Sequence, residues 1–143
     1  WNVISIDKEN VEERISKRLN TEELNRFKFQ KQNFEDMMLE KSDLIVAYYS
    51  LPFCNSQQIE KVWRKIIDSI RPNGYFVGNF FGMHDSWRPI KEKMVFLSKE
   101  QVLELFKDKF DIIEFKEIEK DGKTGLGKMK HWHIYNVIAK KRI

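Results

Sequence analysis

The sequence predicts an α/β fold: a mostly parallel sheet with helices on both faces, three layers in all, closing on an antiparallel hairpin. Three observations predict it. Segments of strand length alternate with segments whose apolar residues recur every three or four positions, the order of βαβ units. Two strand segments, 44–49 and 75–81, are apolar without alternation, as strands covered on both faces require. The last two strands, 111–118 and 133–139, have only a loop between them, too little for a parallel crossover.

Val3-Ile4-Ser5-Ile6 reads as a short apolar strand ending at Asp7. Asn10 with Glu13 three residues on has the spacing of a capping box, and Val11, Ile15 and Leu19 form the buried stripe of the helix that follows. Phe27 and Phe29 alternate with Lys28 and Gln30, the period of a half-exposed strand at a sheet edge. Residues 35–41 read as two helical turns. DLIVAYYSLPF is a strand stopped by Pro52, and Asn55 with Gln58 starts the next helix. There Ile59, Val62, Trp63, Ile66, Ile67 and Ile70 follow at spacings of one, three and four. Arg71-Pro72-Asn73-Gly74 is a turn before the second buried strand. Ser98 and Gln101 cap one more helix, with Val102, Leu103 and Phe106 facing inward, and Asp121-Gly122 opens the loop of the final hairpin.

The totals bound the rest. A chain of 143 residues is expected to form one domain, spanning 1–143. Hydrophobic content of 41% excludes a disordered chain, and no apolar run is long enough to span a bilayer. The single cysteine, Cys54, excludes an internal disulfide and suits a reducing, cytoplasmic setting. The surplus of 26 Lys and Arg over 22 Asp and Glu is small, and the lysines are scattered among glutamates, which reads as a solvated surface rather than a nucleic-acid face.

Ligands of open α/β sheets sit beyond the carboxyl ends of the strands, where Asp7 falls. Its carboxylate suits the two hydroxyls of a ribose; it equally suits support of the next helix N-terminus. Asn33, in Gln32-Asn33-Phe34, suits an adenine edge or a plain N-cap. Tyr48 and Tyr49 suit a cationic ligand, although adjacent strand residues face opposite ways, which puts at least one of them in the core. His84 and Trp87 lie in FGMHDSWRP, a loop rich in recognition chemistry or an ordinary surface loop. Cys54 has no neighbour in sequence that would activate it. The pair His131 and His133 puts two imidazoles on one strand face, but with no third ligand identifiable the sequence favours packing or substrate contact, and no metal is expected.

The ordered set ISID, QNF, AYYSLPF, RPNGYFV and HWHIYNVIAKK resembles class I S-adenosylmethionine-dependent methyltransferases, and within them the small-molecule branch that includes tellurite-resistance-type enzymes. The resemblance implies a Rossmann-like fold, S-adenosylmethionine as cofactor and a small-molecule methyl acceptor. It implies cofactor contacts from Asp7, Lys8, Asn33, Phe34 and Tyr48, and substrate contacts from Tyr49, Phe53, His84 and Trp87, with no catalytic base assigned. ISID resembles the family's second strand. The first strand and its glycine-rich loop would precede Trp1, and Gly122, Gly125 and Gly127 lie in the late loop instead. The chain is therefore expected to be an N-terminally truncated part of a longer protein, with weak or no cofactor binding, low or no activity, and a tendency to self-associate or exchange strands across the gap. The alternatives are a non-catalytic remnant acting through self-association and a nicotinamide-dependent enzyme of the doubly wound type.

Overall fold

The computed structural model describes residues 1–143, which divide into two compact units, Trp1–Met38 and Leu39–Ile143. In the first unit, β1 (Val3–Asp7) pairs in parallel with β2 (Phe27–Lys31), from Val3 opposite Phe27 to Asp7 opposite Lys31. Two short helices, α1 (Glu12–Ser16) and α2 (Thr21–Leu24), make the crossover. β2 is half-exposed as its sequence predicts, with Phe27 and Phe29 half-buried and Lys28 exposed, but Gln30 is half-buried too and breaks the alternation; β2 pairs with β1 alone.

Two expectations fail here. The capping box belongs to Asn20 and Glu23 at the start of α2, not to Asn10 and Glu13. Asn20 Oδ1 accepts from the Glu23 N–H, and Glu23 Oε2 accepts from the Asn20 N–H, each at 2.9 Å. Asn10 instead closes a local turn onto the Glu12 N–H, and the expected buried stripe is only half-buried, with Val11 just before α1, Ile15 within it and Leu19 in the turn after it. Residues 35–41 form the end of a turn and an irregular segment rather than a helix. Their apolar residues, Met37, Met38 and Leu39, are consecutive and give a helix no single face to bury. The Met38 N–H goes to Gln32 Oε1.

In the second unit the strand order is β3–β4–β7–β6. β3 (Ser42–Ala47) runs parallel to β4 (Ile70–Gly82). β7 (Met129–Lys141) lies antiparallel between β4 and β6 (Phe110–Lys123), which confirms the closing hairpin and lengthens it. The two-residue β5 (Phe96–Leu97) adds to β4. The Arg-Pro-Asn-Gly turn lies within β4 as an irregularity: Ser42 pairs with Ile70 but Leu44 with Tyr75, and Asn73 takes φ 64°. β3 is not covered on both faces. Its Asp43 and Val46 are exposed, and it pairs with β4 alone.

The core of this unit is aromatic. α3 (Ile59–Ser69) buries Val62, Trp63 and Ile66, and α4 (Lys99–Phe106) buries Val102 and Phe106. Trp63 meets Phe76, Phe80, Phe106 and Phe110 with ring centroids 4.9–6.1 Å apart. Leu103 turns outward instead of inward, because Val102 and Phe106, four apart, already define the buried face of α4. Ser98 and Gln101 form the expected capping box. Lys141 Nζ donates to the Ile67 and Ile70 carbonyls, so the end of β7 satisfies the C-terminal end of α3. No helix is long and apolar enough to cross a membrane.

Candidate functional site

In the first unit the predicted residues gather at the carboxyl ends of β1 and β2. Asp7 is exposed, and its Oδ1 accepts from the Glu9 N–H at 2.8 Å, a local turn that leaves α1 to start five residues later without it. Lys8 and Asn33 are exposed and Phe34 is half-buried. With no helix after β2, Asn33 caps nothing.

In the second unit β3 stops at Ala47, before the two tyrosines. Tyr49 takes φ 48°, a conformation rare for a bulky residue, and its N–H donates to Asn79 Oδ1 at 2.9 Å. This kink ends the strand alternation, so both Tyr48 and Tyr49 are exposed, at 44% and 53%, and neither is core. Asn79 is fully buried and its Nδ2 has no acceptor. Leu51–Phe53 is a single 3₁₀ turn that buries Leu51 and Pro52 and leaves the Phe53 ring half in solvent.

Three of the four predicted substrate residues share one aromatic cluster. Tyr49 lies 6.0 Å from Trp132 and 6.3 Å from Phe81; Phe53 lies 6.1 Å from Phe81 and 6.2 Å from Trp87. A buried ammonium sits among these rings: Lys130 Nζ is 3.9 Å from the Trp87 ring, 4.0 Å from Trp132 and 4.9 Å from Phe81. Asp85, also buried, accepts from Lys130 Nζ and the Trp87 N–H with Oδ1 and from the His133 N–H with Oδ2. Burial pushes the Lys130 pKa down despite this partner.

The fourth residue, His84, joins a second cluster. Its ring stacks on His133 at 4.8 Å, and Glu119 Oε1 lies 3.2 Å from its Nδ1. The same oxygen lies 3.0 Å from His131 Nε2, and His131 Nδ1 is 2.7 Å from Asp121 Oδ1. With a carboxylate on each nitrogen, first Glu119 and then Asp121, His131 holds its proton above the usual imidazole range; its bond and that of His84 hold Glu119 below the usual carboxylate range. His133 is buried. Its Nδ1 accepts the His84 backbone N–H at 3.1 Å, which assigns the ring proton to Nε2, and that nitrogen donates to Glu117 Oε1 at 2.9 Å. Gly82 makes room for this ring, since a Cβ there would overlap it.

The sequence reading missed Lys130, Trp132, Phe81, Asp85, Asn79, Glu117, Glu119 and Asp121. A signal for some of them exists. Glu117, Glu119 and Asp121 recur at period two, as do Lys130 and Trp132, and His131 and His133. Within a hairpin that period puts each set on one face. The pairing of Glu119 with His133 and Asp121 with His131 then follows from register alone.

No protein-family model matches the chain. No curated protein matches it either. Solved structures do. The chain is similar to TehB from Haemophilus influenzae, at TM-score 0.76 and 15% identity over 99% of this chain and 50% of that one. It is similar to a SAM-dependent methyltransferase from Methanosarcina mazei, at 0.69 and 15% over 98% and 82%. It is similar to the Burkholderia thailandensis 1,6-didemethyltoxoflavin-N1-methyltransferase, solved with 1,6-didemethyltoxoflavin and S-adenosylhomocysteine bound, at 0.69 and 14% over 99% and 62%. The chain thus spans half the length of TehB. Its fold, from β1 to the closing hairpin, is that of the class I S-adenosylmethionine-dependent methyltransferases.

Proposed function

We propose that the protein transfers a methyl group from S-adenosylmethionine to a small-molecule acceptor, that residues 1–143 belong to one methyltransferase-like domain, and that this chain by itself has low or no activity. The observation that carries the reading is an exposed carboxylate, Asp7, at the carboxyl end of a parallel strand in this fold. The donor set suits the cofactor. Within unit 1–38, Asp7 suits ribose hydroxyls with Lys8 next to it in sequence, and the Asn33 amide suits an adenine edge with the Phe34 ring following it; within unit 39–143, the exposed Tyr48 ring suits a cationic sulfonium. The cofactor supplies an activated sulfonium methyl. The protein's task is then to place the acceptor in line and shield the charge. Tyr49, Phe53 and Trp87 offer ring faces and edges to the acceptor, and His84 offers a nitrogen that orients it.

Amide NMR spectra titrated to millimolar S-adenosylhomocysteine test this. The expected shifts fall at residues 7–8, 33–34 and 48–53, with an affinity weaker than micromolar, and Asp7→Ala removes them. Shifts confined elsewhere, or none, would remove the reading.

The reading of association through a strand edge rests on a separate observation. β3 pairs with β4 alone, and Val46 on it is 62% exposed. An open, apolar edge is a template for another strand. Sedimentation equilibrium is expected to give a mass above the 17.3 kDa of one chain, and Val46→Lys is expected to lower it toward that value. A wild-type chain that stays monomeric at high concentration contradicts this reading.

A further inference from the structure

All three histidines of the chain converge on one face of the β6–β7 hairpin and the turn after β4, together with three carboxylates. One ligand atom each from His84, Glu119 and His133 lies within 4.8 Å of the other two, a spacing that an ion could draw together. The hydrogen bonds decide which imidazoles are available. His133 spends its Nδ1 lone pair on the His84 backbone N–H and its Nε2 proton on Glu117. Binding an ion at either nitrogen would break one of these bonds in a buried setting. His131 differs. Its Nδ1 faces Asp121, the arrangement in which a carboxylate fixes a metal-bound imidazole, and its Nε2 faces Glu119 Oε1.

We propose that His84, Glu119 and His131 form a surface site for a divalent ion of the zinc type, with Asp121 orienting the His131 ring. Glu119 Oε1 is 3.0 Å from His131 Nε2 and 3.2 Å from His84 Nδ1. Two donors about 2.0–2.1 Å from a tetrahedral ion stand about 3.4 Å apart, so these pairs need to open by only a few tenths of an ångström. Two imidazoles and one carboxylate favour a borderline ion over magnesium or calcium, and three protein ligands leave a fourth position open to water or another small ligand. His84, Glu119 and His131 are 68%, 40% and 39% exposed at their side chains, so the ion enters without unfolding. The stacked His133 ring supports His84 from below. This site stands on unit 39–143 alone and does not depend on the methyl-transfer reading.

The test uses the whole chain, stripped with chelator and titrated with Zn²⁺ by calorimetry and with Co²⁺ by visible absorption. One ion per chain is expected, with the Co²⁺ bands of a four-coordinate nitrogen and oxygen site. His84→Ala, Glu119→Gln and His131→Ala should each weaken Zn²⁺ binding by at least about tenfold, Asp121→Asn by about tenfold, and Glu104→Gln on α4 not at all. His131 is half-buried and the other positions are exposed, so circular dichroism should report an unchanged fold. In ¹⁵N spectra of the imidazoles, Zn²⁺ should shift His84 and His131 and leave His133 in its present tautomer. The proposal is overturned by no stoichiometric binding, by equal binding in His131→Ala, or by an ion that moves His133 and spares His131.

Discussion

Trp63→Ala is expected to lower the stability of unit 39–143 by about 3–5 kcal/mol. The indole is 4% exposed and touches four phenylalanine rings, two from β4 and one each from α4 and the start of β6. It therefore joins α3 to three other elements at once. The closest pairs, with Phe76 at 5.0 Å and Phe106 at 4.9 Å, are edge-to-face, the arrangement that adds attraction beyond area burial. Nε1 also donates to the Leu105 carbonyl at 3.0 Å, near the end of α4, so truncation leaves that carbonyl without this partner as well as a cavity. Domains of this size are stable by about 5–15 kcal/mol, so the variant sits near the edge of folding. Urea denaturation should show the midpoint falling with little change in slope. Trp63→Phe keeps the ring and loses the hydrogen bond, and should fall between the two. A loss under about 1 kcal/mol for the alanine variant would mean that the aromatic cluster does not hold the unit together.

That core was legible in the sequence because α3 states its periodicity over three turns and residues 75–81 of β4 are apolar at every position but Gly78 and Asn79. Strands announced by period two or by continuous apolar runs were found, and so was the final hairpin. What escaped reading was set by partners outside the segment whose pattern was read. The helix expected at 35–41 lost to a side-chain bond from Gln32, six residues before Met38. The burial expected for β3 failed because it depends on what lies beside the strand, which a residue pattern cannot state. The site divides in the same way. Tyr49, Phe53 and Trp87 were found as a loose set of loop aromatics, and the structure brings them together. Lys130 was not found, because nothing in its local sequence separates a lysine caged by three rings from the solvated lysines around it. Likewise, Glu119 is one acid among many in β6 until register places it between two imidazoles.

Asp85→Ala is expected to cost about 3–5 kcal/mol, the scale of breaking a buried ion pair at one end. The carboxylate is completely buried and serves three donors: Lys130 Nζ and the backbone N–H groups of Trp87 and His133. Its removal strands a charge and two amides together. Lys130→Met should cost less, since Asp85 keeps both backbone donors and the methionine chain still packs on Phe81, Trp87 and Trp132. The lowered Lys130 pKa has desolvation as its largest cause, so the pair is a poor source of net stability even though breaking it is expensive. The double variant Asp85→Asn, Lys130→Met carries no buried charge, and its amide oxygen still accepts one N–H. It is expected to recover most of the loss, and in a cycle with Asp85→Asn and Lys130→Met as the two single variants to give a coupling energy of about 2 kcal/mol or more. Because Asp85 also holds the turn that presents His84 and Trp87, the single alanine variant should disperse the His84 and Trp87 ring resonances from their folded positions, while the double variant restores them. Single losses that simply add, with no coupling between positions 85 and 130, would show that the two groups act independently and that the turn is fixed by other contacts.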